Sequence, residues 1–361
     1  MDHSASQGPF LLRGAEPRDL DSLVRLAAML DTVNLPPDET VLSDLVHRSG
    51  EAFAGRGPLM ERQYLFAVED LGAQRLVGVS MIFAQHGTRA SPHVFFDVLK
   101  VEHYHKGIDH LFVHRVLKIG YAHDGPTEIG GLVVDPAYRA HPLRVGRAVA
   151  FVRFLYMALH LDRFREEVLA ELLPPLRADG SSALWEAVGR HFTGLTYREA
   201  DRRSRTDKDF IADLFPSDVL YATLLPPEAQ EIIGVVGPES RGIHKLLLEC
   251  GFQYQNRIDP FDGGPHFAAT TRAIVAVRGT RSSVLGRAPL PAGDAGDGLA
   301  LVARERDPAA GASPFRAVIA DHRVTSDGVE MDAAAYEALA APPGGEVSVL
   351  PLGPRRPAAA P

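Results

Sequence analysis

The stretch Ile129–Arg153, IGGLVVDPAYRAHPLRVGRAVAFVR, constrains the fold of this chain more than any other. An apolar strand stops at Asp135-Pro136, a short loop carries Tyr138, Arg139, Arg144, Gly146 and Arg147, and an apolar helix follows at once. Backbone amides at such a helix start meet phosphate oxygens, and arginines beside them add charge-assisted hydrogen bonds. The pattern is that of a strand, loop and helix holding a phosphorylated group.

With 361 residues the chain has room for about two or three domains. Apolar residues make 45% and charged residues 23%, which is ordinary globular usage, and no run approaches the ~18 to 20 apolar residues of a membrane span. A soluble protein with no membrane partner is expected. The start, MDHSASQGPFLLRGAEPRDL, lacks a basic segment followed by an apolar one and does not read as a secretory signal. Cys250 is the one cysteine, so no intrachain disulfide is available and a reducing cytoplasm is expected. A net charge of −8 argues against nucleic acid as a partner, while a basic loop inside an acidic chain suits an anionic cofactor.

Apolar spacing predicts a helix over Asp19–Met29, an antiparallel hairpin of Tyr64–Glu69 with Leu76–Ala84, and further strands at Val94–Val101 and Glu128–Val134. A long helix is predicted over Leu143–Leu161, a strand over Glu167–Leu172, a helix over Ala183–Arg190 and a strand over Phe192–Tyr197. A further α/β unit follows, with the helix Gly242–Cys250 and the strand Phe252–Ile258. The segments LWEAVGRHF and IHKLLLECGF look alike and read as a degenerate internal repeat. Near Pro289, LPAGDAGDGLA marks a linker. The expected division is 1–200, 201–288, a linker over 289–298, a small β-rich appendage over 299–352 and a disordered tail over 353–361.

In order along the chain stand NLPPDETVL, YLFAVED, a Thr-Glu before the strand, VDPAYR, RFLYMA, AEL, LWEAVGRHF, DFIADLFP, PPEAQEIIG, LLLECGFQY and IDPFDGGPHF. Together they resemble the arginine N-succinyltransferases, a family within the GNAT superfamily of acyl-CoA N-acyltransferases, from about Leu12 to Leu352. The resemblance implies an α/β fold with a GNAT-like mixed, mostly antiparallel sheet flanked by helices, the repeat then being a degenerate second unit of that kind. It implies succinyl-CoA as a cosubstrate, with no tightly bound cofactor, the α-amine of arginine as acceptor, and a homo- or hetero-oligomer. It assigns CoA contacts to Val133, Val134, Tyr138, Arg139, Arg144, Gly146 and Arg147. Where the family carries a glycine-rich loop this chain reads Ala140-His141-Pro142-Leu143-Arg144-Val145-Gly146, so either Arg144 hinders close approach of backbone to the pyrophosphate, or Arg144 and Arg147 supply charge-assisted contacts in place of backbone amides. The family's Thr-Ser-Leu-Pro becomes Val33-Asn34-Leu35-Pro36, which places Asn34 beside the acceptor pocket.

Attack of an amine on a thioester needs a neutral amine and therefore a base, but no covalent intermediate. Glu128, at the start of the cofactor strand, is the candidate base; the alternative is a strand-end carboxylate bonded to backbone. His191 is a second catalytic candidate, or else a histidine at the end of a helix, where it meets the negative end of the dipole. A guanidinium calls for carboxylates, and Glu171 and the pair Asp259 and Asp262 are the candidates, although Asp262-Gly263-Gly264-Pro265 is also a turn signal. His123 joins them as an acceptor-side residue or a plain turn residue. His103, His105, His110 and His114 cluster locally, with the last two at i, i+4 on one helical face. No HExxH accompanies them, and no metal site is expected. Two other functions stay open: an acyltransferase for ornithine or another amine, and a noncatalytic acyl-CoA-binding or regulatory subunit.

Overall fold

The computed structural model describes residues 8–29, 35–89, 91–204, 209–291, 294, 296–306 and 313–355. In chain order the elements are strand β1 (Phe10–Gly14), helices α1 (Leu20–Ala27) and α2 (Glu39–Phe53), and strands β2 (Gln63–Asp70), β3 (Arg75–Phe83), β4 (His93–His105), β5 (His110–Ala122) and β6 (Thr127–Val134). Helix α3 (Val145–Leu159) and strand β7 (Glu167–Glu171) follow, then α4 (Ala183–Ala187), α5 (Gly189–Thr193), α6 (Tyr197–Ser204) and α7 (Asp209–Leu214). Next come β8 (Leu220–Tyr221), α8 (Pro227–Ile232), α9 (Arg241–Glu249), β9 (Gln253–Ile258), β10 (Pro265–Thr270) and α10 (Val275–Gly279). The last elements are β11 (Arg281–Val284), β12 (Gly298–Glu305), β13 (Phe315–Thr325), β14 (Gly328–Met331), α11 (Ala333–Leu339) and β15 (Glu346–Gly353).

These elements form two compact units that interleave along the sequence. The first draws on the chain up to Ala84, on Ile129–Phe164 and on the chain from Thr271 onward; the second draws on Gln85–Glu128 and Arg165–Thr270. The first unit has strand order β11-β15-β12-β13-β1-β2-β3-β6, with β14 on β13. Strand β1 pairs antiparallel with β2 on one side and with β13 on the other. The middle of β2, Tyr64–Val68, is buried on both faces, which is why its sequence is a continuous apolar run and not an alternation. Helix α3 is buried at Val145 and from Ala148 through Met157, as an all-round apolar helix must be. Phe66, Tyr156 and Phe315 meet edge to face in this core, so residues from β2, α3 and β13 share one apolar interior.

The second unit has order β7-β10-β9-β4-β5-β8, its register-matched pairs being antiparallel. The start of β6 adds a parallel pairing to β7, Thr127 to Val168 and Glu128 to Leu169. Its core packs Val94, Phe96, Leu117 and Ile119 from the sheet against Leu184, Trp185, Ile211 and Phe215. No helix among the described residues is long and apolar enough to cross a membrane.

Several sequence expectations differ from this. Phe192–Tyr197 is not a strand: α5 ends at left-handed Gly194, and Thr196 and Glu199 exchange backbone and side-chain hydrogen bonds as a capping box that starts α6. The helix expected over Ala183–Arg190 breaks at Val188, whose φ of −128 and ψ of −73 leave the helical region. The look-alike segments diverge, since LWEAVGRHF leads to another helix and IHKLLLECGF to strand β9. His110 and His114 lie on strand β5, not on a helix. The linear division also differs from the interleaved one, because β12 and β15 join β13 and through it β1. Asn34 and the tail from Arg356 lie outside the described residues.

Candidate active site

In the first unit the end of β6 leads into the expected loop. Within β6, Gly131 has φ 53, and a Cβ there would stand 2.8 Å from Met81 Sδ, so glycine at 131 is a packing requirement. Val133 and Val134 are buried, leaving their backbone as the part a cofactor could use. Asp135 accepts from the Ala137 N–H and pairs with Arg25 and Arg75 at 3.1 and 3.2 Å, which fixes the chain where it leaves the strand. Tyr138 is turned inward: its hydroxyl donates to Asp70 Oδ2 at 2.9 Å, and burial with that neighbouring carboxylate raises its pKa. Arg139 is exposed and donates to the Val134 carbonyl at 3.3 Å.

The helix start itself is unusual. Arg144 is the N-cap of α3 in the left-handed region, φ 54 and ψ 38, where glycine is favoured, and its Nε donates to the Pro354 carbonyl. Among the first amides of α3, those of Arg147 and Ala148 bond the Arg144 carbonyl, which leaves those of Val145 and Gly146 without an intrahelical acceptor. At Gly146 a Cβ would find only the Arg139 carbonyl, at 3.9 Å, so this side of the helix start is open. The Arg147 guanidinium lies over the Phe151 ring, 4.2 Å from its centroid. The loop thus offers amides and cations at one helix terminus, although Arg144 is directed to the C-terminal strand.

In the second unit Glu128 is 3% exposed, and its Oε2 lies 2.7 Å from His86 Nδ1. His86 meets His93 edge to face, with ring centroids 4.5 Å apart. His93 Nε2 is 3.0 Å from Glu171 Oε1, and His266 Nε2 is 3.4 Å from the same oxygen. Burial, helped by neighbouring His86, lowers His93 to about 4, and burial likewise lowers His266. Burial acts to raise Glu171, but the facing histidines outweigh it and hold the carboxyl well below its usual range. Strands β4, β6, β7 and β10, with His86 just after β3, thus gather three imidazoles and two carboxylates from four separated stretches of the sequence.

The other expected residues have plainer surroundings. Asp259 Oδ1 accepts from the Phe261 and Asp262 amides, and Asp262 Oδ1 accepts from the Gly264 amide at 2.7 Å. Both carboxyls bond the turn before β10, Asp259 also placing an oxygen within 4.8 Å of donor atoms of Glu171 and His266, and burial beside Asp259 raises the pKa of Asp262 well above the carboxylate range. His191 is exposed on α5, and His123 is exposed in the bend between β5 and β6. Sequence reasoning missed His86, His93 and His266 as members of the cluster. His266 lay within the quoted IDPFDGGPHF, but no spacing links it to His86 and His93.

Comparison with known proteins completes the picture. The family described as arginine N-succinyltransferase beta subunit is matched over residues 10–276. An arginine N-succinyltransferase of Yersinia enterocolitica is 34% identical over 270 residues, covering 74% of this chain and 77% of its own. One from Enterobacter sp. is 31% identical over 274 residues, covering 75% and 79%. The solved arginine/ornithine succinyltransferase subunit AI from Pseudomonas aeruginosa superposes with a TM-score of 0.81 at 28% identity, covering 96% of this chain and 99% of that one. The sequence match thus stops near α10, while the structural match takes in the C-terminal strands. By sequence over three quarters of its length and by architecture over nearly all of it, this chain belongs to the arginine N-succinyltransferase family.

Proposed function

We propose that the chain is a CoA-dependent N-acyltransferase that moves the succinyl group of succinyl-CoA to the α-amine of arginine. The observation that carries this reading is the family match over residues 10–276, which spans both the phosphate-type helix start and Glu128. In the first unit, the α3 start with Arg139, Arg144 and Arg147 takes the CoA phosphates. In the second, Glu128 takes a proton from the arginine ammonium, with His86 fixing its carboxylate. The freed amine nitrogen then forms a bond to the thioester carbon, the carbon–sulfur bond breaks, and the thiolate leaves to be protonated as free CoA. We further place the protein in the cytoplasm, in keeping with its one cysteine, and as part of an oligomer, in keeping with relatives named as subunits.

A second reading, ornithine as acceptor, is supported by the Pseudomonas relative, whose name includes both amino acids. A thiol-release assay with succinyl-CoA and acetyl-CoA against arginine, ornithine and lysine separates the two. Glu128→Gln is expected to lower kcat/KM by about a hundredfold or more while leaving CoA affinity unchanged, the scale of a lost general base. Unaltered turnover removes Glu128 from the reaction. Folded protein that binds no CoA and releases no thiol with any pair sinks the acyltransferase reading.

A further inference from the structure

We propose that the second unit is a metal-binding body, holding one divalent transition-metal ion of the zinc type with His86, His93 and Glu171 as ligands. One donor atom from each of these three residues lies within 4.8 Å of the other two. Tetrahedral zinc with bonds of about 2.0 to 2.1 Å sets its ligand atoms about 3.3 Å apart. His93 Nε2 and Glu171 Oε1, at 3.0 Å, already stand at nearly that spacing. His86 has its Nδ1 against Glu128 Oε2 at 2.7 Å, which leaves its other ring nitrogen for coordination. A carboxylate behind a ligating imidazole fixes its tautomer and orientation, the usual support of a histidine ligand.

The second observation is independent of these three residues. His266 is 0% exposed, yet neither of its ring nitrogens has a hydrogen-bond partner, and Nε2 lies 3.4 Å from the carboxylate oxygen that faces His93. Its ring stacks on that of His93 at 23° with centroids 5.3 Å apart. A buried imidazole with both nitrogens unsatisfied is costly, and such groups in native proteins mark a role such as an adjoining ion. His266 adjoins the site through Glu171, one donor atom each of His266, Glu171 and Asp259 lying within 4.8 Å of the other two. His86 and His93 lie seven residues apart and Glu171 comes from a distant strand, so no familiar ligand-spacing motif announces the three, and the proposed site departs from the expectation that no metal is bound.

The test uses the full-length chain, stripped with a chelator and titrated with Zn²⁺ and Co²⁺. One equivalent of Co²⁺ per chain is expected, with the visible absorption of a low-symmetry, four-coordinate site that is lost when Zn²⁺ is added. His93→Ala and the isosteric Glu171→Gln are each expected to weaken Zn²⁺ affinity by about a hundredfold or more, and Glu128→Gln by about tenfold or more through its support of His86. Replacing the exposed His103 and the half-buried His114 with alanine should change nothing, which separates the site from casual binding at other histidines. Far-UV circular dichroism identifies any variant that fails to fold, and Glu171→Gln, which keeps the side-chain shape, then carries the comparison. Substoichiometric Co²⁺ binding by folded wild-type protein, or equal affinity in the wild type and Glu171→Gln, overturns the proposal. Metal titration and thiol release are separate readouts, so failure of the metal site is distinguished from failure of the acyltransferase reading, although His86 and Glu128 figure in both.

Discussion

At the scale of the residue, Arg144 shows how a family pattern can be altered without losing the turn it served. A non-glycine residue in the left-handed region costs about 1 to 2 kcal/mol, here borne at the first turn of α3. Both Arg144→Ala and Arg144→Gly lose the hydrogen bond to the Pro354 carbonyl, but only glycine relieves the backbone. The glycine variant is therefore expected to be more stable than the alanine variant by about 1 kcal/mol in urea denaturation. Equal midpoints would mean that the backbone relaxes around alanine. The substitution of arginine for glycine is visible in the sequence; the contact with Pro354 is not, because 210 residues intervene. Tyr156 gives a residue-scale prediction in pH. Its buried phenol is pushed up well above the ordinary tyrosine range, by burial first and then by Tyr64, with Arg163 opposing. The unfolded chain gives up this proton near pH ~10 while the folded chain keeps it, so the contribution is fully present below that pH and is lost as pH rises above it. Urea midpoints measured from about pH 9 to 11 should fall less steeply for Tyr156→Phe than for the wild type.

At the scale of the element, the β4–β5 hairpin is the clearest case of structure that apolar patterning underreads. It runs from the His93–Ala122 pair to the His105–His110 pair, yet its outer part leaves Leu99, Tyr104, Ile108, Leu111, Phe112 and Val113 exposed. Only Val94, Phe96, Leu117 and Ile119 at its base enter the core of the second unit. Replacing residues 102–113 by Asn-Gly joins the opposed Val101 and His114 through a two-residue turn, and should shift unfolding stability by less than about 1 kcal/mol. A larger loss in urea denaturation would show that the outer hairpin supports the unit. Continuously apolar elements such as β2, β3 and α3 are legible because burial dictates their residues. The capping box Thr196-Tyr197-Arg198-Glu199 was equally present in the sequence, and the strand expected over Phe192–Tyr197 overlooked it. The candidate base and the helix-start loop could be read locally. The histidines around Glu171 could not, since only the pairing of β7 with β10 and of β4 with β9 assembles them.

At the scale of the molecule, the one tryptophan reports on one unit. Trp185 is 0% exposed, stacks on Phe261 with centroids 5.1 Å apart, and donates from Nε1 to the Leu195 carbonyl at 2.9 Å. Its emission should follow unfolding of the second unit, and Trp185→Ala should destabilise that unit by about 3 to 5 kcal/mol, measured by far-UV circular dichroism. A loss below about 1 kcal/mol would mean that the site collapses around the missing ring. The position of β1 between β2 and β13 has a consequence in time as well. A ribosome delivers Gly14 about three hundred residues before Phe315, which at about 5 to 20 residues per second is roughly 15 to 60 s. Every residue of the second unit emerges within that interval, while the first unit still lacks the strands that complete it. The outer edge of β1 therefore waits without its partner through most of translation, open to pairing with a second nascent chain or to capture by a chaperone.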